Sequence, residues 1–224
     1  MSSVTYSKEL PKYTKGEEIF NAVSHIVGGG FGVVALVIGL VVAAIHSNAY
    51  GVVSMAIYGS SMILLYTMSA IYHFLRPNKA KKVFRIFDHC TIFLLIAGTY
   101  TPYCLVTLRE ASGWGWSIFG VVWGFAVLGI IFNAINMHKP IIKILSMICY
   151  LAMGWCVVIA IKPLLDNLST PGFVWLLLGG LMYTIGAIFY LFGKKKKYIH
   201  SIWHLFCVAG TIFQFISILL YVLM

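Results

Sequence analysis

The stretch H-S-I-W-H, His200 to His204, sets two imidazoles four residues apart at the head of a long apolar run. Residues four apart leave a helix on one face. S-A-I-Y-H, Ser69 to His73, repeats that spacing at the end of an earlier apolar run. R-I-F-D-H, Arg85 to His89, adds an acid, Asp88, at the start of the next. Three neutral imidazoles and a water make a four-coordinate catalytic zinc site. His73, His200 and His204 can supply the three nitrogens. A water on such an ion has its pKa lowered to roughly 7 and becomes a nucleophile. Asp88 is then the residue to orient that water and accept its proton. Ser69, one turn from His73, can hydrogen-bond the water or the carboxylate.

Each piece also has an ordinary reading. A histidine pair at a membrane boundary is commonly an interfacial polar pair, and serine packs well between membrane helices. Asp88 can pair with Arg85 or cap its helix. The conjunction favours chemistry. Of six acidic residues, Asp88 alone falls inside an apolar run, and an acid within a membrane is costly enough to need a partner. His89, about 100° around the helix from Asp88, is left outside the ligand set. In E-E-I-F-N-A-V-S-H, Glu18, Asn21 and His25 share one helical face. That face reads equally as a helix start, where acids meet the positive dipole end, or as an outer shell of the same site. His46 and His138 fall between apolar runs and are not ligand candidates.

The elements that must position these residues follow from composition. The chain has 224 residues, 61% hydrophobic and 10% charged, where soluble domains carry about 25% charged residues. This is a membrane composition. The net charge of +10 does not point to nucleic acid, which needs a basic face on a folded domain; here the basic residues sit in short gaps between apolar runs. Five cysteines lie within apolar stretches, with no C-x-x-C pair, and read as small buried hydrophobes. The polar opening and the length of the first apolar run predict no cleavable leader.

Runs of about 18 or more apolar residues are candidate spanning helices. Seven are expected: Phe20 to Ile45, Gly51 to Leu75, Phe87 to Leu108, Trp114 to Asn133, Ile141 to Ile161, Phe173 to Phe192 and Ile199 to Leu223. The predicted organisation is an arm over 1–19 and one seven-helix, all-α transmembrane domain over 20–224. Fourteen of the sixteen Lys and Arg residues, Lys8 and Lys194–Lys197 among them, fall on one side of this pattern; Arg109 and Lys162 fall on the other. Short cytoplasmic loops collect these residues, so the N-terminus is expected in the cytoplasm and the C-terminus outside. The end of the second run and the starts of the third and seventh then lie at one depth, near the cytoplasmic face.

Together, E-x-x-N-x-x-x-H in the first span, S-x-x-x-H ending the second, an Asp opening the third and H-x-x-x-H opening the seventh resemble the progestin and adipoQ receptor family. The short form resembles its bacterial branch, the hemolysin III proteins, from about Glu17 onward. The resemblance implies a seven-helix bundle with an intracellular N-terminus and a zinc ion held by His73, His200 and His204. It places Asp88 and Ser69 around the zinc-bound water. The motifs are also similar to those of alkaline ceramidases, which implies hydrolysis of a lipid amide. The expected function is a zinc-dependent lipid amide or ester hydrolase serving membrane-lipid homeostasis. The alternative is a non-catalytic receptor-like or sensor protein stapled by zinc; a cytolytic or transport role fits less well. The expected partners are membrane lipids and zinc, without nucleic acid. Homo-oligomerisation is left open, and the expected location is the cell membrane.

Overall fold

A computed structural model describes residues 10–137, 139–192 and 196–224. Lys8, His138, Lys194 and Lys195 lie outside the described residues. The described chain is all-α, with seven helices long and apolar enough to cross a membrane: α1 Lys15–His46, α2 Ala49–Phe74, α3 Lys79–Thr107, α4 Trp114–Ile135, α5 Ile141–Asn167, α6 Thr170–Leu191 and α7 Ile199–Tyr221.

Two helices start earlier than an apolar count places them. Asn78 caps α3 by accepting from the Lys81 backbone N–H at 2.8 Å, so the helix begins two turns before Phe87. Those turns carry Lys79, Lys81, Lys82 and Arg85, which an apolar criterion rejects. Asp88 therefore lies inside α3 and does not cap it. Likewise α1 begins at Lys15, after a reciprocal capping box. The Thr14 backbone N–H and hydroxyl donate to Glu17 Oε2 at 2.8 and 2.7 Å, and the Glu17 N–H donates to Thr14 Oγ1 at 3.3 Å. Such a box satisfies donors that a helix start leaves unpaired. It brings Glu17 and Glu18 into the helix, and His46 is its last residue.

α1 packs against α2 and α7, α2 against α3, and α3 against α4 and α5; α6 pairs with α7. α3 is the most enclosed helix. Val33, Val37 and Val41 line an exposed stripe on α1, the surface that lipid covers. Close approach of α1 to α2 rests on two of the four glycines in G-G-G-F-G. A Cβ at Gly28 would sit 2.8 Å from the Tyr66 ring, and one at Gly32 3.3 Å from Ile63, whereas Gly30 faces open space. Thr99 and Thr101 turn their hydroxyls back onto the carbonyls of Leu95 and Ala97. Past Pro102, α3 widens into a π turn, Tyr103–Thr107, as the proline ring and its missing N–H require.

The start of α7 is fastened to the start of α1. Tyr198 adopts a left-handed backbone, φ 61°, and its N–H donates to Glu17 Oε1 at 2.8 Å. One carboxylate thus caps the first spanning helix and holds the last beside it.

Candidate metal centre

The end of α2 and the starts of α1, α3 and α7 meet at one end of the bundle. There His73, His200 and His204 come together, each offering a ring nitrogen within 4.8 Å of the others. All three are buried. The Nε2 atoms of His200 and His204 are 3.2 Å apart. A tetrahedral zinc with bonds of about 2.0–2.1 Å separates its ligands by roughly 3.3 Å, so this pair has the spacing the ion needs.

The polar neighbours assign the ring protons. His73 Nδ1 lies 2.7 Å from Glu18 Oε2, and a carboxylate accepts only, so Nδ1 carries the proton. His73 Nε2 is then a lone pair, buried and without a partner. His204 Nδ1 lies 3.3 Å from the Asn21 carbonyl and 3.4 Å from Ser24 Oγ, which again leaves Nε2 free to ligate. Asn21 is fixed in turn by the Ser201 hydroxyl, which donates to its Oδ1 at 2.6 Å. Imidazoles held through one nitrogen by a carboxylate or carbonyl, with the other presented inward, are the usual outer arrangement of a metal-binding histidine set. The residues present therefore fit a metal ion.

The remaining predicted residues surround this cluster. His25 is stacked on His204, ring centroids 3.7 Å apart and 16° from parallel. It meets the Tyr66 ring edge-on, and both its nitrogens are buried without partners; it is outside the three-histidine group. Asp88 is also outside that group. It lines an adjacent cavity of about 430 Å³ together with Tyr13, Tyr72, Arg85, Tyr190 and His200. Ser69 faces the Asp88 carboxylate, although its buried hydroxyl completes no hydrogen bond. His89 is closer to Asp88 than helical angles imply: its Nδ1 reaches within 3.5 Å of Asp88 Oδ2, because neighbouring side chains can bend toward each other.

The cavity is also lined by Lys143 and by the apolar Ile144, Ile148 and Leu191, the last three exposed on the outer surface of the bundle. Met147 and Leu151 continue from it into a second cavity of about 100 Å³ among α3, α5, α6 and α7. Tyr13, just ahead of α1, covers the site: its ring stacks on His200 with centroids 5.0 Å apart. Burial pushes its phenol well above the usual tyrosine pKa, so it remains a hydrogen-bond donor at neutral pH.

Sequence reasoning missed Tyr13, Ser24, Ser201 and Lys81. Ser24 falls three residues after Asn21, on the same face, a signal that was available. Lys81 had been counted only as a topological charge.

A seven-helix membrane bundle with three histidines gathered at one end defines a class, and the comparisons with known proteins narrow it. The family model "Haemolysin-III related" matches residues 13–215. The chain is 44% identical to "Hemolysin-3" of Bacillus cereus over 207 residues, 92% of each chain. It is 41% identical to "Hemolysin-3 homolog" of Bacillus subtilis (strain 168) over 209 residues, 93% of this chain and 96% of that one. The "Monocyte to macrophage differentiation factor" of Homo sapiens is 26% identical over 167 residues, 72% of this chain and 67% of that one. The chain belongs to the haemolysin-III related family, and is a multi-pass protein of the cell membrane.

Proposed function

We propose that this protein is a zinc-dependent membrane hydrolase that cleaves a lipid amide or ester near the cytoplasmic face. The observation that carries this reading is the position of the three-histidine cluster beside a cavity lined by both polar and apolar side chains. A single-chain lipid has that polarity. His73, His200 and His204 would hold the ion, with Glu18, Asn21 and Ser24 setting the orientations of His73 and His204 and His25 backing His204. Zinc in such a site supplies Lewis-acid polarisation of a carbonyl and activation of water. Asp88, on the cavity wall, takes the proton that an attacking water loses. Ser69, which faces that carboxylate, can turn its hydroxyl to donate to it. Tyr13 keeps its phenolic proton and presents it to a substrate oxygen, a donor aimed where negative charge develops. The exposed apolar residues at the cavity wall suit entry from the lipid phase.

The basic asymmetry supports a cytoplasmic position for this end of the bundle. Reporter fusions after Lys197 and after Met224 are expected to report opposite sides. The direct test of the function is to incubate purified, zinc-loaded protein with a panel of ceramides and acyl lipids. Release of fatty acid that disappears on zinc removal supports the reading; no release from any member of the panel overturns it.

One observation favours a non-catalytic alternative, a receptor-like or sensor protein in which zinc is a staple. The ligands come from α2 and α7, which meet through long side chains such as Tyr66 and not through close backbone packing. An ion there would tie the two helices together. Lysis, which the name of the Bacillus relatives evokes, and transport are disfavoured because the described acidic, basic and histidine side chains gather at the two ends of the bundle and mark no path across it.

A further inference from the structure

A lysine near a membrane boundary normally extends its ammonium to water. Lys79 is exposed in that way. Lys81, two residues on, is 2% exposed. The Asn78 cap orients the first turn of α3, and Lys81 turns inward from it. Its Nζ donates to Glu18 Oε1 at 2.6 Å and to the Leu75 carbonyl at 2.9 Å, and lies 5.0 Å from the centre of the Tyr72 ring. The other oxygen of the same carboxylate, Glu18 Oε2, accepts from His73 Nδ1 at 2.7 Å. Glu18 is thus held at both oxygens, by an ammonium on α3 and by an imidazole on α2. A topological charge has no need of this arrangement.

We propose that Lys81 is a positioning residue of the metal centre: its ammonium fixes the Glu18 carboxylate against His73 Nδ1, and so aims His73 Nε2 at the ion. This inference rests on the metal reading above and extends it beyond the histidines and their immediate partners. Three helices then contribute to the orientation of one ligand. The relay adds no net charge, since the ammonium and carboxylate cancel; what it contributes is direction. Removing an outer partner of a ligating histidine typically weakens metal affinity about 10–100-fold.

The sign of the effect separates positioning from simple charge. If Lys81 acted only through its charge, removing a cation near a dication would tighten zinc binding. If it acts through Glu18, removing it loosens binding. Zinc affinity is to be measured by chelator competition on purified wild type, Lys81→Met, Glu18→Gln and the double variant, with cobalt spectra to report ligand geometry. The expected result is a loss of about 10–100-fold in each single variant. The double variant should be no weaker than the weaker single one, because both changes break the same relay. The tetrahedral cobalt spectrum at saturation should persist. Unchanged or tighter binding in Lys81→Met, or effects that add in the double variant, overturns the proposal. If Lys81→Met does not accumulate, Lys81→Gln is used with its own reading: a donor kept on Glu18 without the charge holds affinity near wild type if Lys81 positions, whereas tighter binding overturns the proposal. A wild-type protein that binds no metal would instead remove the metal reading itself.

Discussion

Two buried polar clusters sit in the same bundle and differ in how completely they are satisfied. Around Thr211, every hydroxyl is used. Thr211 Oγ1 donates to the Cys207 carbonyl at 3.0 Å and shares hydrogen bonds with the hydroxyls of Tyr66 and Tyr183, both at 2.6 Å. Tyr58 donates to the Thr211 carbonyl at 3.3 Å. Among the histidines, His73 Nε2, both nitrogens of His25 and Ser69 Oγ are buried with no partner. Tyr66 belongs to both clusters, with its ring against His25 and its hydroxyl in the closed network. Buried polar atoms left open carry a free-energy cost that a closed network avoids. The difference teaches that polarity alone does not mark a site within a membrane. The closed network joins α2, α6 and α7; the open one has donors and lone pairs to offer a ligand.

The largest effects should fall on the open cluster. His73→Ala or His204→Ala is expected to take purified protein from about one zinc per chain to none, as metal analysis would show, since either change leaves two ligands. Zinc surviving both would erase the contrast between the two clusters. Asp88→Asn is expected to keep the metal while hydrolysis falls by roughly 10²–10⁴-fold; loss of metal and fold together would make Asp88 structural. Acidification comes next. Ligand imidazoles must be unprotonated, so zinc affinity should fall on acidification, by roughly tenfold per unit for each ligand that takes up a proton, as followed by chelator competition across pH. The closed cluster should give the smallest response. Thr211→Val removes the hydroxyl that Tyr66 and Tyr183 share and is expected to cost about 1–2 kcal/mol of stability with zinc content unchanged. A loss of zinc there would show that the two clusters act as one.

The sequence carried much of this. Seven apolar runs are legible because lipid contact demands them, and the histidines are legible because their four-residue spacing survives translation into helix faces. Counting crossings was enough to bring His73, His200 and His204 to one end. The first turns of α3 were not legible, because Lys79, Lys81, Lys82 and Arg85 fail an apolar criterion although Asn78 caps a helix there. The role of Glu18 was only half legible. An acid in the first turn suits the helix dipole whether or not an imidazole waits opposite, and only the packing of α1 on α2 decides. Lys81 was hidden for the same reason: a sequence shows that a lysine borders a span, but not whether its side chain turns outward or in.

The bond between Glu17 and the Tyr198 backbone, which draws the beginning of α7 to the beginning of α1, has a consequence for biosynthesis. Spans enter the membrane in the order in which the ribosome makes them. His73 is in place after the second, but His200 and His204 arrive only with the seventh, so the first helix must be kept available while five others are inserted. The three-histidine cluster is therefore completed only at the end of translation, and an ion held there would mark a finished chain.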